Sequence, residues 1–163
     1  MKILYFGGQK SGKSNAAAQA AIALAKTKPY YVATYDNSYC DSAMDDRVAK
    51  HQVQRKDDFI TIEEPLNLTR AIKPGKTYLV DCLSMWLFNN LEHDETELLS
   101  QLEKVLNLDC NIIFVINDVG RGVIPMDSQS RRFVDLSGII GQFVAGHCDE
   151  VHRVEFGITQ KIK

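Results

Sequence analysis

Gly7-Gly8-Gln9-Lys10-Ser11-Gly12-Lys13-Ser14 is the stretch that decides how this chain folds. It fits the pattern G-x-x-x-x-G-K-[ST], in which a glycine-rich loop (the P-loop) binds nucleotide phosphates. Residues 2–6 before it are typical of a short buried strand, and the alanine-rich residues 15–26 after it predict a helix. Because the motif requires this order of strand, loop and helix, we interpret the stretch as a phosphate site and not as a turn that binds nothing.

The chemistry of this loop predicts a magnesium-dependent nucleotide site. Its glycines let backbone N–H groups close around phosphate oxygens, and the helix N-terminus adds partial positive charge. Lys13 is expected to reach the β- and γ-phosphates, and the Ser14 hydroxyl to bind Mg²⁺. Asp81 ends an apolar strand, where a carboxylate can hold Mg²⁺ opposite Ser14. The alternative for Asp81 is a cap for the helix that follows.

The bulk properties exclude several classes of protein. The 163 residues suit one domain, 1–163, and their 45% hydrophobic and 25% charged content is ordinary for a globular protein. A net charge of -2 gives no basic footprint for nucleic acid, and no apolar run is long enough for a membrane span. The four cysteines form no C-x-x-C pair. Free thiols in a reducing cytoplasm are therefore the simplest expectation.

Hydrophobic patterning predicts an α/β fold in which strands alternate with helices. The predicted strands are 2–6, 30–34, 59–62, 77–81, 111–116, 150–154 and 158–162. The predicted helices are 15–26, 42–54, 66–72, 83–91, 96–106 and 128–145. Together with the P-loop, they indicate a P-loop NTPase (RecA-like) fold. Its sheet is mainly parallel and flanked by helices, with an antiparallel C-terminal edge.

His51 is a candidate nucleophile. On the predicted helix 42–54, it shares one face with Met44 and Arg47. An imidazole near a P-loop could attack or stabilise a phosphate, because imidazole is a good nucleophile near neutral pH. A histidine on a helix surface is more often simply solvated, so the spacing alone leaves both interpretations open.

The segment that follows strand 111–116 is a candidate substrate loop. It reads Asn117-Asp118-Val119-Gly120-Arg121-Gly122-Val123-Ile124-Pro125. In open α/β sheets, ligands bind at the carboxyl ends of the strands, so Asp118 and Arg121 could bind substrate there. An ordinary connection would have the same position. Arg131 and Arg132 follow on the next helix, and an arginine there, for which Arg132 is the candidate, could lie near the phosphates or on a solvated face.

Taken together, these residues resemble the adenosylcobinamide kinase/adenosylcobinamide-phosphate guanylyltransferase family, nearly from end to end. The resemblance is carried by the P-loop, Ala33-Thr34, Met44-x-x-Arg47-x-x-x-His51, Asp81-Cys82, the loop 117–125, Arg132-Phe133-x-Asp135 and the tail 157–163. The loop 117–125 is the most specific of these segments. The chain departs from the family pattern at Tyr35, at Lys50-His51-Gln52 and at Gly138-Ile139-Ile140-Gly141-Gln142.

This resemblance implies two reactions. A nucleoside triphosphate (ATP or GTP) phosphorylates the aminopropanol hydroxyl of adenosylcobinamide, and GTP then donates GMP to that phosphate through a GMP-histidine at His51. Besides Gly7 to Ser14, the resemblance implies nucleotide contacts from Ala33, Thr34, Tyr35, Gln52, Val53, Gln54, Arg55, Glu63 and Asp81. It also implies a homo-oligomer, a trimer.

Two other functions remain open from the sequence. One is a P-loop small-molecule kinase that performs no guanylyl transfer, in which case no GMP adduct would form. The other is a RecA-like nucleotide-binding module, which would turn over nucleotide without any corrinoid.

Overall fold

The computed structural model describes residues 1–36 and 57–163, and the strands in this part of the chain form one sheet. They are β1 Lys2–Gly7, β2 Tyr30–Ala33, β3 Ile60–Glu63, β4 Thr77–Asp81, β5 Asn111–Asn117, β6 Glu150–Glu155 and β7 Ile158–Lys161. Their order in the sheet is β3-β2-β4-β5-β1-β6-β7. Neighbouring strands from β3 to β6 run parallel, and β7 is antiparallel to β6. The predicted parallel sheet with an antiparallel C-terminal edge is confirmed.

Helices cover both faces of this sheet. In the described residues they are α1 Lys13–Leu24, α2 Leu68–Ala71, α3 Leu83–Asn89, α4 Glu95–Leu106 and α5 Ser128–His147. None of these helices is long and apolar enough to cross a membrane. The helix predicted at 42–54 lies outside the described residues.

The predicted helix 66–72 is shorter than its sequence pattern indicated. The Asn67 side chain accepts a hydrogen bond from the Thr69 backbone N–H and caps the helix, so α2 begins only at Leu68. It ends at Ala71, because Ile72 is extended. Side-chain capping, which competes with helical hydrogen bonds, thus decided where the helix begins.

The core consists of two layers, one on each face of the sheet. In β5, Ile112 to Val115 are fully buried, as expected for a strand covered on both faces. One layer packs β4 and β5 against α3, α4 and α5, with Trp86, Leu102 and Ile140 buried. The other lies under α1, whose Ala17 and Ala21 are fully buried beside Leu79. Small side chains therefore bring α1, and the loop that precedes it, close to the sheet.

The strand register aligns the carboxyl ends of the parallel strands. Ala33 is level with both Glu63 and Asp81, and Gly7 is level with Asn117. The ends of five adjacent parallel strands therefore form a single edge, at which the P-loop, Ala33, Glu63, Asp81 and the loop after β5 lie.

Candidate nucleotide site

The P-loop is a closed turn between β1 and α1. Gly12 precedes α1 with a φ of 96°, and Lys10 has a φ of 56°. The Ser11 N–H donates to the Gly8 carbonyl over 3.2 Å, and Lys13 Nζ donates to the same carbonyl over 3.0 Å. Lys13 is only 6% exposed. Its ammonium group is therefore held against the loop and not extended into solvent.

The β6–β7 hairpin supports the P-loop from one side. The Gly157 N–H donates to the Ser11 carbonyl over 2.8 Å. A Cβ atom added to Gly7 would lie 2.2 Å from the Val154 carbonyl oxygen, and one on Gly12 would lie 3.3 Å from the Gly157 Cα. Gly7 and Gly12 are therefore required for the packing of two backbones, in addition to any contact with phosphate.

Ser11 gives independent support for a polar ligand. Within the described part of the chain, its hydroxyl is buried and has no hydrogen-bond partner. A buried hydroxyl without a partner is costly, and such groups in native structures call for an explanation. A phosphate oxygen in the loop would supply the acceptor that this hydroxyl lacks.

Asp81 lies at the end of β4 and is positioned by β2. The Tyr31 hydroxyl donates to Asp81 Oδ2 over 2.8 Å, while Asp81 itself is partly exposed. Ser14, in the first turn of α1, is also partly exposed. These two hard oxygen donors fit Mg²⁺, which usually takes few protein ligands and keeps phosphate and water oxygens. No cluster of three or more His, Cys, Asp or Glu that could hold a metal occurs in residues 1–36 and 57–163.

Thr34 connects the ends of β2 and β4. It is fully buried, and its hydroxyl both donates to the Cys82 carbonyl (2.8 Å) and accepts from the Cys82 N–H (2.9 Å). Asn89 in α3 donates to the Thr34 carbonyl over 2.7 Å. The hydroxyl of Thr34 thus holds the backbone beside Asp81, while its neighbour Ala33 is partly exposed. Tyr35 is likewise partly exposed, and Glu63 is exposed at the end of β3.

Cys82 lies beside the same edge. Burial raises the pKa of its thiol to about 11, and the negative charge of Asp81 adds to the shift, which the positive charge of Lys13 opposes. The thiol therefore stays protonated near neutral pH and does not act as a nucleophile beside the P-loop.

The loop 118–126 lies next to the P-loop. The Asp118 N–H donates to the Gly7 carbonyl over 2.9 Å, which joins the two predicted ligand loops directly. Arg121 Nε lies 2.7 Å from Asp118 Oδ2, and Arg121 Nη1 lies 3.6 Å from Glu155 Oε1. A pocket of about 90 Å³ lies under this loop, lined by residues that include Val119, Gly122, Ile124, Val134 and Asp135.

Two neighbouring arginines of α5 point to different partners. Arg131 donates to the Pro125 carbonyl over 3.0 Å, and also to the Met126 carbonyl, so it holds the loop. Arg132, the candidate from the sequence, donates to the Leu91 (2.9 Å) and His93 (2.8 Å) carbonyls and joins α5 to the α3–α4 connection. Sequence reasoning did not assign this role to Arg131. It predicted the β6–β7 hairpin but not the packing of this hairpin and Glu155 beside the P-loop, because no local pattern shows which elements pack on this edge.

The remaining predicted residues lie outside the part of the chain that the structure describes. They are His51, with its proposed neighbours Met44 and Arg47, and the predicted nucleotide contacts Gln52, Val53, Gln54 and Arg55. The described site consists of the P-loop, the strand ends Ala33, Glu63 and Asp81, and the loop 118–126.

Comparisons with known proteins identify the family. The model of the family "Cobinamide kinase / cobinamide phosphate guanyltransferase" matches residues 3–162. The chain is 35% identical to the bifunctional adenosylcobalamin biosynthesis protein CobP of Pseudomonas aeruginosa, over all of this chain and 98% of that protein. It is 28% identical to the bifunctional protein CobU of Escherichia coli, over the full length of both. Among solved structures, an ATPase domain gives a TM-score of 0.44 at 12% identity, covering 93% of this chain and 68% of that one, which is too low to support a conclusion. The chain belongs to the cobinamide kinase/cobinamide phosphate guanyltransferase family of cobalamin biosynthesis enzymes.

Proposed function

We propose that one nucleotide site, at the carboxyl edge of the sheet, serves both reactions of this enzyme. The observation that carries the proposal is the hydrogen bond of 2.9 Å between the Asp118 N–H and the Gly7 carbonyl. This bond extends the β1–β5 pairing by one residue. It supports the proposal because the loop that resembles the family's most specific segment starts beside the P-loop. An acceptor bound by one loop would then face a phosphate bound by the other.

In the first reaction, a nucleoside triphosphate transfers its γ-phosphoryl group to the aminopropanol hydroxyl of adenosylcobinamide. Lys13 leaves the Gly8 carbonyl and donates to the β- and γ-phosphate oxygens, where it offsets developing negative charge. Ser14 and Asp81 would hold Mg²⁺, which when bound supplies further charge neutralisation. Tyr31 keeps the Asp81 carboxylate oriented through its 2.8 Å hydrogen bond.

In the second reaction, GTP donates GMP through His51. An imidazole nitrogen of His51 attacks the α-phosphorus, the N–P bond forms, and the bond to the leaving pyrophosphate breaks. An oxygen of adenosylcobinamide phosphate then attacks the same phosphorus and releases the histidine, giving adenosyl-GDP-cobinamide. Lys13 stabilises the charge on pyrophosphate as it stabilises the γ-phosphate in the first reaction.

The strand ends beside the P-loop are proposed to hold the rest of the nucleotide. Ala33 and Glu63 lie level at the ends of the adjacent strands β2 and β3, and Tyr35 follows β2, which supports a contact with the guanosine of the GMP-histidine state. Thr34 contributes by fixing the Cys82 backbone and not through a free hydroxyl. Gln52 to Arg55 are proposed on the family resemblance alone.

Asp118 and Arg121 are proposed to bind the acceptor. Arg121 is exposed and carries a guanidinium that suits a phosphate, and Asp118 orients it. Arg132 is proposed to act indirectly, because it holds the α3–α4 connection against α5.

We also propose a homotrimer and a cytoplasmic location. The trimer rests on the family resemblance, and the location is supported by the free thiols of Cys82, Cys110 and Cys148.

The direct test is to supply adenosylcobinamide with Mg²⁺ and ATP, then GTP, and to identify the corrinoid products by mass. Adenosylcobinamide phosphate, followed by adenosyl-GDP-cobinamide, is the expected result. A reaction that stops at the phosphate would favour the small-molecule kinase. Nucleotide hydrolysis that needs no corrinoid and gives no corrinoid product would favour the nucleotide-binding module.

A further inference from the structure

Four charged side chains connect the loop 118–126 to the β6–β7 hairpin. Arg121 Nε lies 2.7 Å from Asp118 Oδ2, and Arg121 Nη1 lies 3.6 Å from Glu155 Oε1. The same Glu155 oxygen accepts a hydrogen bond from Arg153 Nη2. These four residues, which we call the arginine cluster, therefore form a chain of alternating charges in which one carboxylate oxygen is shared by two guanidinium groups.

The hydrogen-bonding capacity of Arg153 is only partly used in this cluster. Its Nε atom is buried and has no hydrogen-bond partner in residues 1–36 and 57–163. A buried N–H without an acceptor is costly, and a guanidinium binds phosphate or carboxylate best through two N–H groups at once. The Arg153 side chain is 33% exposed, so part of it remains open to solvent. An anion with several oxygens would supply the acceptor that Glu155 alone does not.

The arginine cluster lies on the side of the P-loop that faces away from the proposed nucleoside contacts. In the sheet, β2 and β3, which end at Ala33 and Glu63, lie on one side of β1, and β6 lies on the other. Arg153 of β6 pairs with Phe6, one residue before the P-loop begins. The cluster is therefore close to the phosphate loop but opposite the nucleoside side, where an acceptor has room to approach.

The acceptors of the two proposed reactions differ in the group that would reach this cluster. Adenosylcobinamide presents a neutral hydroxyl, whereas adenosylcobinamide phosphate presents an anionic phosphate. A neutral hydroxyl competes poorly with the Glu155 carboxylate for a guanidinium, whereas a phosphate has both the charge and the oxygens to replace it. The Glu155 side chain is 48% exposed, so it can turn into water at little cost, as expected for a surface ion pair.

We propose that Arg121 and Arg153 form a subsite for the phosphomonoester of the guanylyl acceptor, and that Arg153 makes this chain prefer the phosphorylated corrinoid. Without acceptor, Glu155 keeps both guanidinium groups in place. When the acceptor binds, its phosphate oxygens replace the Glu155 carboxylate, and Arg153 Nε gains an acceptor. The inference rests on the proposed role of Asp118 and Arg121 in binding the acceptor.

The test measures dissociation constants by calorimetry, with the full-length protein and Mg²⁺. The ligands are adenosylcobinamide, adenosylcobinamide phosphate and α,β-methylene-GTP, a nucleotide that cannot donate GMP. Wild type should bind the phosphorylated corrinoid more tightly than the unphosphorylated one. Arg153→Gln should weaken the phosphorylated corrinoid about tenfold and change the other two affinities less than about twofold. Arg153→Lys should recover part of the loss, because lysine keeps the charge but not the paired N–H groups.

Lys161→Gln is the matched control. Lys161 is also a cation of the hairpin paired with a glutamate of β6, but it lies 2.7 Å from Glu150, at the opposite end of that strand. This variant should leave all three affinities near wild type.

Three results would overturn the subsite and leave the proposed function intact. The first is an unchanged affinity of Arg153→Gln for adenosylcobinamide phosphate. The second is an equal loss for all three ligands in both Arg153 variants, which would show that Arg153 only supports the fold of the site. The third is a loss confined to the nucleotide, which would assign the cluster to the nucleotide phosphates. A wild type that binds neither corrinoid would overturn the proposed acceptor site itself, and the subsite with it.

Discussion

The two loops that meet at the carboxyl edge of the sheet are built very differently. The P-loop is supported on one side by the β6–β7 hairpin, and Lys13 is 6% exposed. The neighbouring loop 118–126 touches it through one backbone hydrogen bond, yet Val123 is 94% exposed and Met126 is 95% exposed. The difference indicates a rigid phosphate site beside a surface that a large, partly apolar acceptor could cover.

The largest expected effect comes from removing the buried positive charge of the P-loop. Lys13→Ala should reduce kcat for both phosphoryl and guanylyl transfer by about 10²–10³-fold, as for loss of one oxyanion-stabilising donor. The two rates are measured separately, with adenosylcobinamide and with its phosphate as acceptors. Lys26→Ala, an exposed lysine beyond the end of α1, is the control. Near-normal guanylyl transfer in Lys13→Ala would show that the two reactions use different sites.

The reactivity of the Cys82 thiol tests whether the protein beside the nucleotide site keeps this buried side chain from solvent. The pKa of the Cys82 thiol is raised from 9.0 to about 11, so near neutral pH its thiolate fraction should be about 100-fold below that of an ordinary cysteine. We expect Cys82 to resist iodoacetamide in the folded protein and to react after denaturation, as read by peptide mass mapping. Because only the thiolate reacts, the rate of modification should rise with the thiolate fraction as the pH approaches the pKa of this thiol. Rapid modification near neutral pH would mean that this edge opens readily.

Paired glycine substitutions compare the two loops directly. In Gly7→Ala, the added Cβ would lie 2.2 Å from the Val154 carbonyl, so the hairpin must move, at a cost of about 1–3 kcal/mol of unfolding free energy. In Gly120→Ala, the added Cβ meets no atom within 4 Å, and the change should be about 0.5 kcal/mol or less. Urea unfolding measures both variants. Equal stability of the two variants would contradict the difference in packing.

The smallest expected effect concerns the open loop. Arg121→Gln removes the ion pairs of an exposed guanidinium with Asp118 and Glu155, so the unfolding free energy should change by about 1 kcal/mol at most. The KM for adenosylcobinamide phosphate should nevertheless rise about tenfold, through loss of a charged hydrogen bond. Arg70→Gln, an exposed arginine of α2, should change neither quantity. An unchanged KM in Arg121→Gln would remove Arg121 from the acceptor site.

The sequence predicted the fold well because its signals are local. The glycines of the P-loop and the apolar run of β5 each specify their own structure. Contacts between segments that are far apart in the sequence have no such local signal. Nothing in the tail indicated that Gly157 would bind Ser11, and two adjacent arginines gave no hint that Arg131 and not Arg132 would hold the loop.

For the candidate site too, local signals could be predicted from the sequence and long-range packing could not. The motif predicts Lys13, Ser14 and Asp81, since phosphate and Mg²⁺ chemistry demand those residue types at those positions. The role of Thr34 as a connection to Cys82 depends on which strands become neighbours, so it appears only in the folded chain. The roles of the nucleotide and acceptor residues remain predictions until they are measured.

Intact-protein mass measurement after incubation with Mg²⁺ and GTP, without corrinoid, most directly tests the proposed guanylyl transfer through His51. The wild type should gain one GMP and release pyrophosphate, and the adduct should be lost in acid and kept in base, as expected for a phosphoramidate. His51→Ala should form no adduct and lose guanylyl transfer, yet retain most of its phosphoryl transfer to adenosylcobinamide, which needs no protein nucleophile. A GMP adduct that persists in His51→Ala, or an acid-stable adduct in the wild type, would contradict the assignment of His51.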